Sequence, residues 1–565
     1  MTVIGVRDEV DVVARRRRLD GVDRLRDDEI GVFGVARFFE VGRPRVLVDA
    51  SGDRFAVLAG RVVGSIVDRF ARPVVGRPRS GPARSLLGVA HTISYATCVP
   101  PRVPERVREE REGRGATRSC MAAILGEVDT DGGPPLAIPI RHFVVGFGFL
   151  LAGALVGAAT GLDRIPWTGT LAHVHLLLVG WVCVTIMGAM VQFVPVWSNA
   201  TLHSRRLAAA QLPLVAAGLV AFATALLTER LALLPVGGTL MLAGFWVFAY
   251  NTGRTLLTVQ PWDVTERHFA LALGFFLALT TLGLALAVDF TRPVFVDLPV
   301  TRTSVIDAHV TLAIFGAVLT TVLGALYQLG TMFTQTDLHG VDHWIRRFET
   351  VAYPVGVLAL AGGRLFEHAP LARVGGLAVA VAVGAYGVLL ARRLVETQVA
   401  WTPMLTRYAV VAGAMLAWAL LAIPAWIDDP LTYTTRYGAP GSVHLLAFGL
   451  VGFVVLGTLY HVVPFIVWVE RYSDRLGLEP VPMIDDLYDD RLAAADASSL
   501  FGGTAALVAS DFLTLPEGVA TAGGIAVGVG AALFVANMGL VLYRHSPDGL
   551  GRILFGRLAS DVAES

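Results

Sequence analysis

The chain has 565 residues, 54% hydrophobic and only 16% charged, and its mean hydropathy of +0.62 exceeds what a soluble domain of this length needs to fill its core. The 46 basic residues are all arginine and balance 46 acids to a net charge of zero, a balance that offers no footprint for a nucleic-acid partner. Cys98, Cys120 and Cys183 form no C-x-x-C pair, which excludes a disulfide framework and leaves a lipid bilayer as the solvent the composition fits.

Residues 1–120 are a different kind of sequence, with 23 Arg against 16 acids, an RRRR run at 15–18 and no apolar run of spanning length. They read as an Arg-rich arm, disordered or the product of a start placed too early, with Met121 as the true beginning. From Ile140 onward, apolar runs of about 20 residues recur between short polar loops. Twelve spans are expected, near 143–162, 170–196, 207–228, 231–251, 268–289, 304–331, 349–366, 371–391, 405–426, 441–468, 497–514 and 518–543. A short tail, 546–565, follows. If both termini share one side, the connections and flanks on that side hold 16 arginines and the opposite loops hold seven. That bias predicts a multi-pass protein of the plasma membrane with both termini cytoplasmic.

The second, sixth and tenth spans superpose without a gap. They read HVHLLLVGWVCVTIMGAMVQFVP from His173, HVTLAIFGAVLTTVLGALYQLG from His309 and SVHLLAFGLVGFVVLGTLYHVVP from Ser442. His173 lies over His309 and His175 over His444. Below them stack Gly180, Gly316 and Gly449, then Gly188, Gly324 and Gly457, with Pro195 matched by Pro464. Four helices separate each member from the next. The fold class expected is therefore all-α, a polytopic membrane protein in a pseudo-threefold array of three four-helix units, 140–254, 268–393 and 405–545.

All three marked helices enter from the same face, so His173, His175, His309 and His444 are expected in one layer in the outer part of the bilayer. Imidazoles in hydrocarbon are costly and point to a site. Neutral imidazole on facing helices suits the axial positions of a haem iron. With no C-x-x-C-H sequence, such a haem is b-type or otherwise non-covalent.

The run from His173 to Pro195, with His-x-His, Gly-Trp, a second Gly and Val-Pro, resembles the helix that ligates both haems in the catalytic subunit I of haem-copper oxidases, particularly the cbb-type oxygen reductases and nitric oxide reductases. The resemblance implies twelve helices, haems toward the outer face and a role in respiratory electron transfer. It implies a high-spin haem on His173 and a low-spin haem on His175. The family carries His-x-His on its tenth helix, and a cyclic shift by one four-helix unit reconciles the order. His309 then resembles the second low-spin ligand and His444 the first copper ligand. A complete copper site is not expected, because SSLFGGTAALVASDFL in the eleventh span lacks the adjacent histidine pair and His461 lies almost five turns below His444. The run from His175 to Trp197 also resembles NnrS-type haem and copper proteins of nitric oxide resistance.

Asp307 is expected to orient His309 as an outer partner, and Asp511 to be a solvated helix end. Arg230, Arg364 and Arg436 are the candidates for haem propionates. His339, Asp342 and His343 read as a solvated loop, His91, His142, His203, His268, His368 and His545 as loop or interface residues. The expected function is a haem-binding protein of the oxidase type, a terminal oxidoreductase if it is an enzyme. A cytochrome or copper-protein electron donor and other oxidase-type subunits would be its partners. The alternatives are an NnrS-type protein and a secondary transporter without haem, against which the orientation-preserving repeat argues.

Overall fold

The computed structural model describes residues 136–555 other than Asp163 and Asp548. The expectations on residues 1–120, on Met121 and on His91 lie outside the described residues. Twelve long helices follow one another: α1 Ala137–Gly161, α2 Gly169–Trp197, α3 Arg205–Leu227, α4 Leu231–Leu256, α5 Val264–Asp289, α6 Arg302–Thr334, α7 Val341–Leu365, α8 Ala369–Val395, α9 Pro403–Asp428, α10 Leu445–Arg475, α11 Asp490–Phe512 and α12 Gly518–His545. Among the described residues, eleven of them are long and apolar enough to cross a bilayer, and no strand is present. The chain is an all-α, multi-pass membrane protein. The exception is α7, whose first turns carry Asp342, Arg346, Arg347 and Glu349.

Hydropathy makes these segments helical, since a backbone in hydrocarbon must satisfy its own hydrogen bonds. Local signals start them. Ser204 caps α3 by accepting from the Leu207 N–H, Asp263 and Glu266 form a reciprocal box on α5, and Thr301 and Ser304 do the same on α6. Each helix packs on its neighbour in sequence, and α12 returns to pack on α1, closing a ring.

The three repeat helices form the inside of that ring. Of their apolar stretches, 83% of α6, 83% of α10 and 67% of α2 is buried in protein, against 28–56% for the other apolar helices. Small residues permit the close approach. A Cβ on Gly180 would meet Phe149 at 2.6 Å, and one on Gly316 would meet Phe275 at 3.0 Å.

The odd-numbered helices all begin on the face that carries the described chain ends, hereafter the terminal face. Each begins earlier than its apolar run: α1 at Ala137, α5 at Val264, α7 at Val341, α9 at Pro403 and α11 at Asp490. Near these starts His142, His268, Glu349, Arg407 and Asp496 enter the helical bundle, where all five are buried.

Candidate functional site

Two polar layers cross the inner trio, one at each end. The first lies where α2, α6 and α10 start. Each of these helices opens into a π-helical stretch at the same aligned register: Leu176–Cys183, Leu312–Val318 and Leu445–Gly452. Such stretches are rare and frequent at functional sites. The aligned residues one step before them are His175, Thr311 and His444.

The histidine Nδ1 atoms all face acceptors. His173 Nδ1 lies 2.7 Å from the Gly153 carbonyl of α1, and His309 Nδ1 lies 2.9 Å from the Leu279 carbonyl of α5. His175 Nδ1 lies 2.8 Å from the Leu171 carbonyl of its own helix, and its ring sits 5.0 Å from Phe222. His444 Nδ1 lies 2.7 Å from Asp511 Oδ2. Carbonyl and carboxylate oxygens only accept, so Nδ1 carries the proton and donates in each case. In the neutral ring that leaves the Nε2 lone pair unspent, with no hydrogen-bond partner among the described residues.

The four rings lie in twos across junctions between units, His309 near enough to His175, and His173 to His444, for a charge on one to act on the other. In both cases the second position of one unit neighbours the first position of another. The same rule at the third junction sets Thr311 opposite Ser442. Here Arg364 enters instead, donating to Thr311 Oγ1 at 2.8 Å and to the Arg436 and Thr435 carbonyls at 3.0 and 3.1 Å. Phe315, Trp418 and Trp426 fill the space beneath with centroid distances of 5.5–5.7 Å. Two junctions therefore hold imidazole pairs and one is plugged.

Asp307 does not orient His309. Its carboxylate accepts from Arg436 Nε at 2.5 Å, and the partner of His309 is the Leu279 carbonyl. The carboxylate that does back a histidine is Asp511, on His444. Arg364 and Arg436 are buried rather than placed on the outer surface, while Arg230 is exposed. His461 packs against Phe333 with ring centroids 4.6 Å apart, away from the histidine layer. His339, Asp342 and His343 do not form an open loop cluster. Asp342 is buried against Arg392 and Arg393, and His339 pairs with Glu396, whose carboxyl is held below its ordinary range by the His339 hydrogen bond and the nearby arginines.

Among the described residues, no group of three or more His, Cys, Asp or Glu side chains could hold a metal ion by itself. A bare ion needs three or four protein ligands, whereas a porphyrin already supplies four nitrogens and asks the protein for one or two. Paired imidazoles with tautomers set by outer acceptors and free Nε2 atoms fit the second demand.

Glycine supplies the seat for two of the rings. A Cβ on Gly157 would fall 2.4 Å from the His173 ring, and one on Gly283 would fall 2.9 Å from the His309 ring. Gly157→Ala is therefore expected to push His173 off its place while leaving the His175–His309 junction intact. Were haem held at these histidines, carbon monoxide difference spectra of the purified variant would check this, with loss of the gas-binding signal and retention of the low-spin one.

The second layer was hidden from sequence reasoning. His142 Nδ1 donates to the Ile138 carbonyl at 2.8 Å and Nε2 meets Gln211 Nε2 at 3.1 Å. At the equivalent place in the next unit, His268 Nδ1 donates to the Val264 carbonyl at 2.7 Å, Nε2 meets Glu349 Oε1 at 3.0 Å, and Tyr327 donates to Glu349 Oε2 at 2.8 Å. In the third unit Arg407 pairs with Asp496, to which Tyr460 also donates. The stacked glycines make room: a Cβ on Gly188, Gly324 or Gly457 would come within 2.6, 2.5 or 3.1 Å of the Cβ of His142, His268 or Arg407.

His142 and His268 are thus core residues, not loop or interface residues. The signal that marks them is an aromatic neighbour repeated with them, His142-Phe143, His268-Phe269 and Arg407-Tyr408. Both of their ring nitrogens are engaged, which separates them from the four histidines of the first layer. His203, His368 and His545 do lie at helix ends, where His368 caps α8 and His545 meets Tyr472. No protein-family model matches the chain, and no curated relative matches it.

Proposed function

We propose that the chain is a haem-binding membrane protein of the oxidase type, with His175 and His309 as the axial pair of a low-spin haem. The observation that carries this is the pairing across unit junctions, His175 with His309 and His173 with His444, each ring offering an unspent Nε2. The resemblance to haem-copper oxidases, taken with a one-unit shift, asks for the same two pairs. His173 would hold a second haem, with His444 near it at the same junction. A haem held so would bind a diatomic gas such as oxygen or nitric oxide, or pass electrons.

The chain's own residues set the conditions for that chemistry. The Gly153 and Leu279 carbonyls fix the orientation of His173 and His309, and Phe222 confines His175. Asp511 keeps the His444 proton on Nδ1, which leaves the Nε2 lone pair open. Apart from His173, which the second haem would take, no histidine among the described residues is placed with His444, and copper is left out. The arginine bias supports cytoplasmic termini in the plasma membrane, which sets the histidine layer toward the outside, where an electron-donor protein would dock.

The test is haem per chain and reduced-minus-oxidised spectra on the full chain purified in detergent. A sharp low-spin band with a second, carbon monoxide-sensitive component is expected. Well-folded protein that takes up no haem on reconstitution overturns the reading, and transport assays become the next step.

A further inference from the structure

The three equivalent buried sites of the second layer differ in one chemical respect. In the first unit, His142 Nε2 accepts from the Gln211 amide, which neither gains nor loses a proton. In the third, the Arg407–Asp496 pair is a fixed ion pair. Only the middle unit joins an imidazole to a carboxylate.

Its hydrogen bonds count protons. His268 Nδ1–H is committed to the Val264 carbonyl, and Glu349 Oε2 accepts from Tyr327. If the ring were neutral and the carboxylate ionised, Nε2 and Oε1 would face each other at 3.0 Å with only lone pairs between them. Both side chains have zero exposure, so neither could turn to water. The network closes only with one added proton between Nε2 and Oε1.

We infer that His268, Glu349 and Tyr327 form a proton-storage site that loads from the terminal face of the bundle. The route is short. Glu349 lies about two turns into α7, whose start is open, with His343 and Trp344 exposed and Arg346 half-buried between the start and the acid. The ionisable groups that act on the site are Asp263 at the start of α5, Arg346 and Tyr353 on α7, Tyr327 on α6 and Tyr386 on α8. The two fixed charges among them, Asp263 and Arg346, are opposite in sign. The stored proton therefore answers to the pair itself and to the nearby tyrosine donor, not to a net surrounding charge. When it leaves, the His268–Glu349 link between α5 and α7 opens, and among the described residues Glu349 keeps Tyr327 as its donor.

The test compares the full chain with Glu349→Gln in detergent by proton-binding stoichiometry and pH-dependent infrared difference spectra in ordinary and heavy water. Glu349→Gln recreates the His142–Gln211 pair of the first unit, a geometry this fold already accommodates. The wild type is expected to take up one proton more per chain than the variant and to show a carboxyl band that titrates, shifts on deuterium exchange and vanishes in Glu349→Gln. Should that variant fail to fold, His268→Gln supplies a fixed amide donor to the same carboxylate, and the same loss of one proton is expected. Tyr327→Phe should move the titration without removing it. Equal proton uptake in wild type and variant, or a carboxyl band indifferent to pH and deuterium, overturns the inference. None of these readouts needs haem, so they stand or fall apart from the proposed function.

Discussion

In the proposed site, His175→Ala and His309→Ala are each expected to abolish the low-spin absorption band while leaving the carbon monoxide-reactive component in place. Each ring would supply one ligand nitrogen, and its proton is held on Nδ1 by a backbone carbonyl. Loss of one axial ligand opens a coordination position and changes the spin state, so the effect is qualitative rather than graded. His173→Ala should do the reverse, sparing the low-spin band and removing the gas-binding signal. Spectra and haem content of the three purified variants make the comparison. If His175→Ala and His173→Ala were spectrally alike, the two pairs would not be separate sites.

Asp496→Ala costs the protein about 3–5 kcal/mol and most of its folded yield. Arg407 is 1% exposed and Asp496 fully buried, and when the carboxylate is gone Arg407 keeps the Pro403 and Ala493 carbonyls and the Tyr460 ring but no counter-charge. An unpaired guanidinium in the core of a membrane bundle has nowhere to be solvated. The equivalent change in the first unit, Gln211→Ala, removes a neutral amide from a neutral imidazole and should cost about 1–3 kcal/mol. Thermal unfolding in detergent measures both, and the ranking of the two sites is the prediction. Equal losses would mean that the third unit's ion pair adds nothing beyond an ordinary hydrogen bond.

The sequence alone carried the class of fold and one of its two polar layers. His173, His175, His309 and His444 were legible because the gap-free superposition of three helices set them at one depth. Which ring meets which was not legible, because pairing depends on how units abut. Asp307 was misjudged for a simple reason. It lies two residues before His309, and on a helix residues two apart point to different faces. Asp511, which does back a histidine, is 67 residues from His444. The second layer escaped because apolar runs were taken to mark helix starts. His142, His268, Glu349 and Asp496 sit at or before the edges of those runs, where a helix continues into polar sequence only because partners from neighbouring helices await it.

The matching π-helical stretches have a consequence for angular phase. In an α-helix each residue advances by about 100°, so an extra residue absorbed in a widened turn sets the two ends of the helix out of step by roughly that angle. On α2, α6 and α10 this offset lies between the histidine layer and the glycines that seat the second layer. It allows one nearly straight rod to aim one set of groups across a junction and another set toward its own unit. Deleting a single residue from Leu176–Cys183 would remove the offset, and His173 and His175 would swing away from His444 and His309 while the lower half of α2 stayed packed. The direction in which each histidine looks is thus encoded below it, in backbone that carries no charged side chain.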